Sequence, residues 1–420
     1  MNTSRRQLPA LTGIRFFLAM WVVVYHQSDS LLGPLGAAPW LHRAIEGIVQ
    51  TGYTAVSAFF VLSGFVLAYN YDLRTLGSGR NGVRFGIARF SRIYPAYVTG
   101  LLILIPLAIY RLVAVVEGGM HAGAGNFILS LCLLQAWVPG SALSWNYPGW
   151  SLSDEAFFYA MLPFAGVLMA RIAEGSSGRR TFRLLGLAAA LWLLGLAVPV
   201  WAVLHQVPHF GDAQATDIEL VGEGAWANAI RYSPVFRLPE FCMGVVLALL
   251  YRSIPAKSRL WNSGARFYVP GAAIVLLVLA NGDRIPYPVV HNGLLAPAYA
   301  MIFFGLALEG GILVRFLSLP AVVFLGNASY SMYILHAPIA AWMGIGFRRV
   351  LNADPDGPVW LICYVTGVIG LAAVFFRKAE EPSHRWLRKR LSDWAAGTAA
   401  VAVPITSDVS TNAASNVTGN

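Results

Sequence analysis

The chain has 420 residues, of which 57% are hydrophobic and only 12% are charged, and its mean hydropathy is +0.60. Soluble domains carry about 25% charged residues, so this composition excludes an ordinary soluble domain and predicts an all-α, polytopic membrane helix bundle. The formal net charge of +10 does not require a nucleic-acid partner, because membrane proteins concentrate Lys and Arg in cytoplasmic loops. The 3 cysteines lie far apart in apolar segments, which predicts neither a disulfide framework nor a metal site.

Ten apolar runs of suitable length, bounded by charged or Gly/Pro-rich breaks, predict ten membrane-spanning helices. In chain order they lie at about 8–27, 52–72, 93–115, 151–171, 183–205, 236–252, 267–281, 293–310, 328–347 and 358–376. A further apolar stretch, 126–139, is short for a crossing and more typical of a re-entrant or interfacial segment. The tail at 397–420 is rich in Ala, Ser, Thr, Val and Asn and is predicted to be disordered.

The positions of the basic residues predict the orientation of these spans. If the N-terminus is cytoplasmic and 126–139 does not cross, most of the 30 Lys and Arg residues fall in loops on the cytoplasmic side. That bias is the one expected of membrane proteins. It supports ten spans with both termini cytoplasmic.

The first span contains two ionisable residues, Arg15 and His26, within the stretch "TGIRFFLAMWVVVYHQ" at 12–27. They are about three helical turns apart, so they share one face of a helix and lie roughly 16 Å apart along its axis. Ionisable groups inside a span are costly and mark functional positions. The alternatives are that Arg15 snorkels to the inner interface and that His26 is an interfacial polar residue. A polar stripe of this kind suits a path through a bundle better than a lipid-facing surface.

Two more ionisable residues lie in predicted spans. Glu155 is near the outer start of the fourth span and His336 is in the ninth. An acidic group at a helix N-terminus is also favoured by the helix dipole, and a histidine in a span can simply bond to a neighbouring helix. Neither residue by itself indicates a functional site, and the prediction depends on their occurrence together with Arg15 and His26.

An arginine cluster precedes the third span, in "RFGIARFSRIYPAY" at 84–97. Arg84, Arg89 and Arg92 would lie at its cytoplasmic end, where the positive-inside bias alone explains their charge. The functional interpretation is that their guanidinium groups bind phosphates, because arginine presents a bidentate fork. A cationic cluster that opens onto a polar path through the membrane indicates a phosphorylated donor used from the cytoplasm.

Six motifs occur in an order that resembles membrane acyltransferase family 3. They are "LPALTGIRFFLAMWVVVYHQ", "FFVLSGFVLAY", "RFSRIYPAY", "PGWSLSDEAFFYAMLP", "GNASYSMYILH" and "EEPSHRWLRKRL". The resemblance covers about residues 8–391 and implies one transmembrane acyltransferase domain at 1–391. Some members of this family carry an additional extracytoplasmic domain, and the resemblance is to the stand-alone form without it.

The resemblance implies an integral O-acyltransferase of the bacterial inner membrane. Its donor substrate would be cytoplasmic acetyl-CoA, or a longer acyl-CoA, with no permanently bound cofactor. Its acceptor would usually be a hydroxyl of a surface or lipid-linked saccharide, such as an O-antigen or an exopolysaccharide. A glycan oligosaccharide or a small secondary metabolite would use the same core, and the sequence does not choose among these acceptors. Membrane lipids would be its other partners, and nucleic acid would not. A transporter or flippase would also need a polar path through the membrane, but it would not explain the six motifs.

The same resemblance implies roles for individual residues. His26 resembles the family's catalytic histidine, and Arg15 is the arginine paired with it. Glu155 matches the acidic position that follows W-S-L, as a third catalytic residue. Arg89 and Arg92 match an R-x-x-R motif and would bind the CoA phosphates.

The remaining residues implied for the site belong to the acceptor side or the pore: Trp150, Ser151, Tyr330 and His336. Arg15 would contact the donor or stabilise developing negative charge, and Glu155 would orient His26 or bind the sugar. A histidine is a suitable general base for a hydroxyl nucleophile. An acyl-histidine intermediate is the alternative, and the sequence does not choose between the two.

Overall fold

The computed structural model describes residues 6–35, 39–115, 119–205, 223–255, 257–281 and 284–401. Within these ranges the regular structure is helical and no strand is present. The all-α fold is therefore confirmed. Of the tail predicted to be disordered, residues 402–420 lie outside the described residues, whereas 397–401 continue the last helix.

The α-helices are numbered in chain order. They are α1 Pro9–Tyr25, α2 Ser28–Leu35, α3 Pro39–Gln50, α4 Thr54–Asn70, α5 Leu73–Leu76, α6 Gly79–Val115, α7 Gly119–Leu131, α8 Trp150–Ile172, α9 Ser177–Leu204, α10 Glu223–Tyr232, α11 Pro234–Arg252, α12 Ala265–Leu279, α13 Tyr287–Val289, α14 Ala296–Leu308, α15 Ile312–Leu317, α16 Pro320–Leu351, α17 Gly357–Phe375 and α18 Glu381–Val401. Two π-helical turns join neighbouring helices, at Val290–Leu294 and at Phe376–Glu380.

Six helical segments of the described chain are long and apolar enough to cross a membrane: Gly79–Tyr110, Tyr147–Ile172, Ser177–Leu204, Asn228–Arg252, Tyr287–Leu308 and Gly357–Ala396. Three shorter apolar helices, α1, α4 and α12, coincide with the first, second and seventh predicted spans. Helix α16 contains the ninth. Every predicted span thus coincides with a helix, and the protein is an integral membrane protein. The count of ten crossings and the cytoplasmic termini stay predictions.

The short apolar stretch at 126–139 does not form one continuous helix. Helix α7 ends at Leu131, Leu133 has a positive φ of 58°, and a separate 3-10 turn covers Gln135–Trp137. This break is consistent with the prediction that 126–139 does not cross the membrane as a single helix.

Helix α1 lies directly against α16. A Cβ added at Gly326 of α16 would be 2.0 Å from the carbonyl oxygen of Thr12, and one added at Gly13 would be 2.0 Å from that of Leu317, the last residue of α15. Small residues allow such close approach of helix backbones in membranes. The contact places the polar face of α1 beside the polar residues of α16.

The segment that follows His26 is tied to the start of α17. The Trp360 indole donates a hydrogen bond to Gln27 Oε1 at 2.6 Å, and the Ser30 hydroxyl donates one to Asp356 Oδ1 at 2.7 Å. These bonds fix the chain on the far side of His26. The bond from Ser30, together with one from the backbone N–H of Gly357, holds the pKa of the Asp356 carboxyl below its usual value.

Candidate active site

A cavity of about 130 Å³ lies among α1, α4, α6, α8 and α16. Six of the predicted site residues line it: Arg15, Arg89, Arg92, Ser151, Glu155 and Tyr330. Three guanidinium groups therefore face one carboxylate around the same space. This balance favours an anionic ligand over a cationic one.

Glu155 belongs to this cavity and not to the surroundings of His26. Helix α8 begins at Trp150, so Glu155 lies more than one turn inside the helix, on the side that faces Arg15. Its Oε2 accepts a hydrogen bond from the Tyr159 hydroxyl at 2.8 Å. Among the described residues it makes no hydrogen bond to His26, so the structure does not pair the two as predicted.

Arg89 and Arg92 line the cavity in different ways. Arg92 forms an ion pair with Glu380, whose second oxygen accepts a hydrogen bond from Ser331. Arg89 instead bonds the Tyr71 hydroxyl at 3.4 Å, and in the described part of the chain it has no ion pair. Its buried Nε also lacks a partner there. Of the two arginines, Arg89 has the greater capacity left for an anionic ligand.

Glu380 is a site residue that the sequence analysis did not single out. It is buried, with 1% of its surface exposed, and it lies at the end of the π-helical turn after α17. The signal was present, since Glu380 opens the "EEPSHRWLRKRL" motif. A buried carboxylate requires a charged or hydrogen-bonding partner, and here Arg92 and Ser331 provide both.

His26 and His336 form a stacked pair at the other end of the site. Their ring centroids are 5.2 Å apart with an interplanar angle of 22°, and the Tyr147 ring lies 4.5 Å from that of His26. His26 caps α1 and is exposed, whereas His336 is completely buried in α16. The two predicted histidines are therefore brought together.

A backbone hydrogen bond holds the ring of His336. Its Nδ1 lies 2.6 Å from the carbonyl oxygen of Tyr333, which can only accept, so Nδ1 carries a proton. Nε2 is buried without a partner among the described residues. The bond to Tyr333 thus fixes the orientation of the His336 ring against the ring of His26.

Tyr333 connects the cavity with the histidine pair. Its side chain lines the cavity, its hydroxyl lies 2.8 Å from Ser151 Oγ and donates to the Pro148 carbonyl at 3.2 Å, and its own carbonyl binds His336. The sequence analysis selected Tyr330 in the same motif and missed Tyr333. Its position three residues before His336, one turn away on the same face, was the available signal.

Trp150 does not line the cavity. It is buried with its ring 4.8 Å from that of Tyr232 and 6.0 Å from that of His291, and the Arg237 guanidinium carbon lies 5.7 Å from its ring. The predicted acceptor-side residue thus packs against a second polar cluster, which the sequence analysis did not identify.

A family model described as an acyltransferase domain matches residues 8–377, nearly the whole described chain. The chain belongs to the acyltransferase 3 family. Acyltransferase MdmB of Streptomyces mycarofaciens is 27% identical to it over 410 residues, which cover 91% of this chain and 93% of that protein. O-acetyltransferase OatA of Staphylococcus aureus is 21% identical over 353 residues, which cover 81% of this chain and 52% of that protein.

Another relative of this acyltransferase, Protein 2 in picA locus of Rhizobium radiobacter, is 29% identical over 201 residues, which cover 44% of this chain and 93% of that protein. No solved structure matches the chain. The resemblance found from the six motifs is therefore confirmed, and the protein is a membrane acyltransferase. The transporter alternative is left without an observation in its favour.

Proposed function

We propose that this acyltransferase moves an acetyl group from acetyl-CoA to a hydroxyl of a saccharide, across the bacterial inner membrane. The observation that carries the proposal is a series of contacts from a cationic cavity, through Tyr333 and then His336, to the exposed imidazole of His26. The similarity to a protein named O-acetyltransferase supports acetyl as the transferred group. The ends of this route are called below the Arg89 end, predicted to be cytoplasmic, and the His26 end.

The cavity suits the acyl end of the donor. Its volume of about 130 Å³ is below the roughly 300 Å³ of a pocket for a drug-sized ligand, so the nucleotide of CoA would stay outside, at the Arg89 end. Arg89 would bind a phosphate through its planar fork. Arg15, deeper in the same cavity, would stabilise negative charge that develops on the thioester oxygen.

The transfer itself would take place at His26. A ring nitrogen of His26 accepts the proton of the acceptor hydroxyl while the hydroxyl oxygen attacks the thioester carbon. A C–O bond forms, the C–S bond breaks, and the leaving thiolate takes that proton from His26. In the two-step alternative, the acetyl group passes first to the His26 nitrogen with loss of CoA and then to the hydroxyl. His336, fixed by the Tyr333 carbonyl, would position the ring of His26 in either route.

Replacing His26 tests this proposal. Without a general base the rate of transfer should fall at least about 100-fold. A strain that carries His26→Ala in place of the wild-type gene should therefore have as little ester-linked acetate on its saccharides as a strain that lacks the gene. The measurement is acetate released by mild alkali from envelope saccharides, normalised to protein abundance in the membrane. The matched control is His205→Ala, because His205 caps α9 and its contacts within the described part of the chain are with Trp201 of its own helix. Wild-type acetate in the His26→Ala strain would remove His26 from the reaction.

A further inference from the structure

A membrane-spanning helix is broken beside the site. Within the candidate span Tyr287–Leu308, the π-helical turn at Val290–Leu294 contains two non-helical residues, Asn292 at φ −102° and ψ 50°, and Gly293 at φ +95°. Irregular backbone at membrane depth occurs only where it is buried in protein or lines a cavity. Such π-helical turns are also frequent at functional sites. The polar backbone groups of the break therefore need partners within the protein, and the break itself indicates a functional position.

A buried polar cluster provides the partner. Arg237 is completely buried and donates to the carbonyl oxygen of His291, while its other terminal nitrogen lies 3.1 Å from Glu240 Oε2 and 3.0 Å from Ser57 Oγ. Gly293 is needed for this packing, because a Cβ there would be 2.9 Å from Glu240 Oε1. A buried ion pair is a costly way to hold a helix, and the acyl-transfer route described above does not use it.

The surface of the break carries aromatic rings that lead to His26. The Tyr53 ring lies 4.6 Å from that of Tyr287 and 5.5 Å from that of His291, where the two planes differ by 24°. Tyr53 also approaches Tyr25 at 5.8 Å, and Tyr25 approaches His26 at 4.8 Å. The rings form an unbroken series from the broken helix to the exposed histidine.

The hydroxyl groups of these three tyrosines are not bonded to the part of the chain that the structure describes. Tyr25, Tyr53 and Tyr287 are only partly buried, and none of their hydroxyls has a hydrogen-bond partner within the described ranges. A buried tyrosine hydroxyl normally finds such a partner. These three hydroxyls can therefore form hydrogen bonds with another molecule, and Tyr25 is in ring contact with His26.

We propose that Tyr25, Tyr53 and Tyr287 form the acceptor subsite, which binds a ring-shaped, polyhydroxylated molecule. Aromatic faces stack on the C–H face of a sugar ring, and the phenol groups donate to or accept from its hydroxyls. The Arg237 cluster holds the broken helix so that Tyr287 faces Tyr53. This inference rests on the proposed function, because it assigns the second substrate of that reaction.

The test removes single hydroxyls and retains the rings. Purified Tyr53→Phe and Tyr287→Phe are compared with wild type, with radiolabelled acetyl-CoA as the donor and alkali-deacetylated envelope saccharide from the deletion strain as the acceptor. Each change should raise the KM for the saccharide roughly three- to tenfold, the value of one hydrogen bond. The KM for acetyl-CoA should not change. The control is Tyr110→Phe, an exposed tyrosine of α6.

The outcomes separate this inference from the proposed function. An unchanged KM for the saccharide in both variants, or an equal rise in the KM for acetyl-CoA, would overturn the acceptor subsite while leaving the acyl transfer intact. A lower unfolding temperature with normal KM values would show that the tyrosine hydroxyls stabilise the fold and do not bind the saccharide, which would also overturn the acceptor subsite. If the wild-type protein transfers no acetyl group to the saccharide, the proposed function fails, and the subsite fails with it.

Discussion

Arg89 and Arg92 lie one helical turn apart, but only Arg92 has an acidic partner in the described structure. Glu380 holds Arg92 against the Tyr330 ring, whose centroid lies 5.8 Å from its guanidinium carbon. Arg89 forms no ion pair in that part of the chain, where its guanidinium bonds the Tyr71 hydroxyl and lies over the Tyr71 ring. The two residues therefore differ: Arg92 is held as a fixed charge of the cavity, whereas Arg89 is the one that can bind the proposed donor.

The pairing of Arg92 with Glu380 can be measured by a double-mutant cycle. Arg92→Met leaves the buried Glu380 carboxylate uncompensated and should cost about 3 kcal/mol of stability. Glu380→Gln should cost less, because the Arg92 side chain is partly exposed. The double variant should cost less than the sum of the two, with a coupling of at least about 1 kcal/mol. Unfolding in detergent, followed by loss of the native chromatographic peak, gives the stabilities. Simple additivity would show that the two side chains do not interact.

Sequence patterns predicted several site residues within the six motifs, but they missed Glu380 and Tyr333, which lie in two of those motifs, and Arg237, which lies in none. Arg15, Arg89 and Glu155 were predicted and do share one cavity. Glu380 and Arg92 are in contact although they are 288 positions apart in the chain, and a local sequence pattern cannot predict such a contact. Arg237 was not singled out, because two of its three buried partners, His291 and Ser57, come from other segments of the fold.

Helices α4 and α11 show how backbone packing holds these side chains. A Cβ at Gly64 would lie 2.0 Å from the carbonyl oxygen of Phe241, and one at Gly244 would lie 1.9 Å from that of Val61. This crossing brings Ser57 of α4 to Arg237 of α11. The position of the broken helix therefore depends on two glycines that lie outside the site.

Alanine at Gly244 should force α4 and α11 apart. The clash is with backbone, which cannot rotate away, so the loss of stability should be about 1–3 kcal/mol. Gly186→Ala in α9 is the matched control, since no atom lies within 4 Å of an added Cβ there and alanine favours a helix. Thermal unfolding of the two variants in the same detergent gives the comparison. Equal unfolding temperatures would contradict the close packing.

Hydropathy predicted the apolar parts of the helices but not their full extent. Helix α6 begins at Gly79, well before the predicted span at 93–115, because its basic first turns continue the helix outside the apolar window. The predicted span at 293–310 began within the π-helical turn, since the apolar pattern does not register a break that tertiary contacts stabilise. Glycine and proline near the break were the only local signals.

At the scale of the whole molecule, the bundle places two chemical environments at opposite ends of one route. The Arg89 end carries guanidinium groups, which in the proposed function bind the phosphorylated donor, and the His26 end carries an imidazole and tyrosines, which in that proposal receive the hydroxylated acceptor. Charge bias in the loops predicted which end is cytoplasmic, and the family match agrees with an enzyme of this kind. Because the acetyl group must pass between the two ends, the donor should be accepted from one side of the membrane only.

Sealed membrane vesicles of both orientations test this account most directly. Acetyl-CoA labelled in the acetyl group, which does not cross the membrane, is added outside vesicles loaded with deacetylated envelope saccharide. The account predicts alkali-labile label on the enclosed saccharide in inside-out vesicles that contain wild-type protein. It predicts none in right-side-out vesicles or in inside-out vesicles that contain His26→Ala. Equal labelling in both orientations, or labelling by His26→Ala, would contradict a route that runs from the Arg89 end to His26.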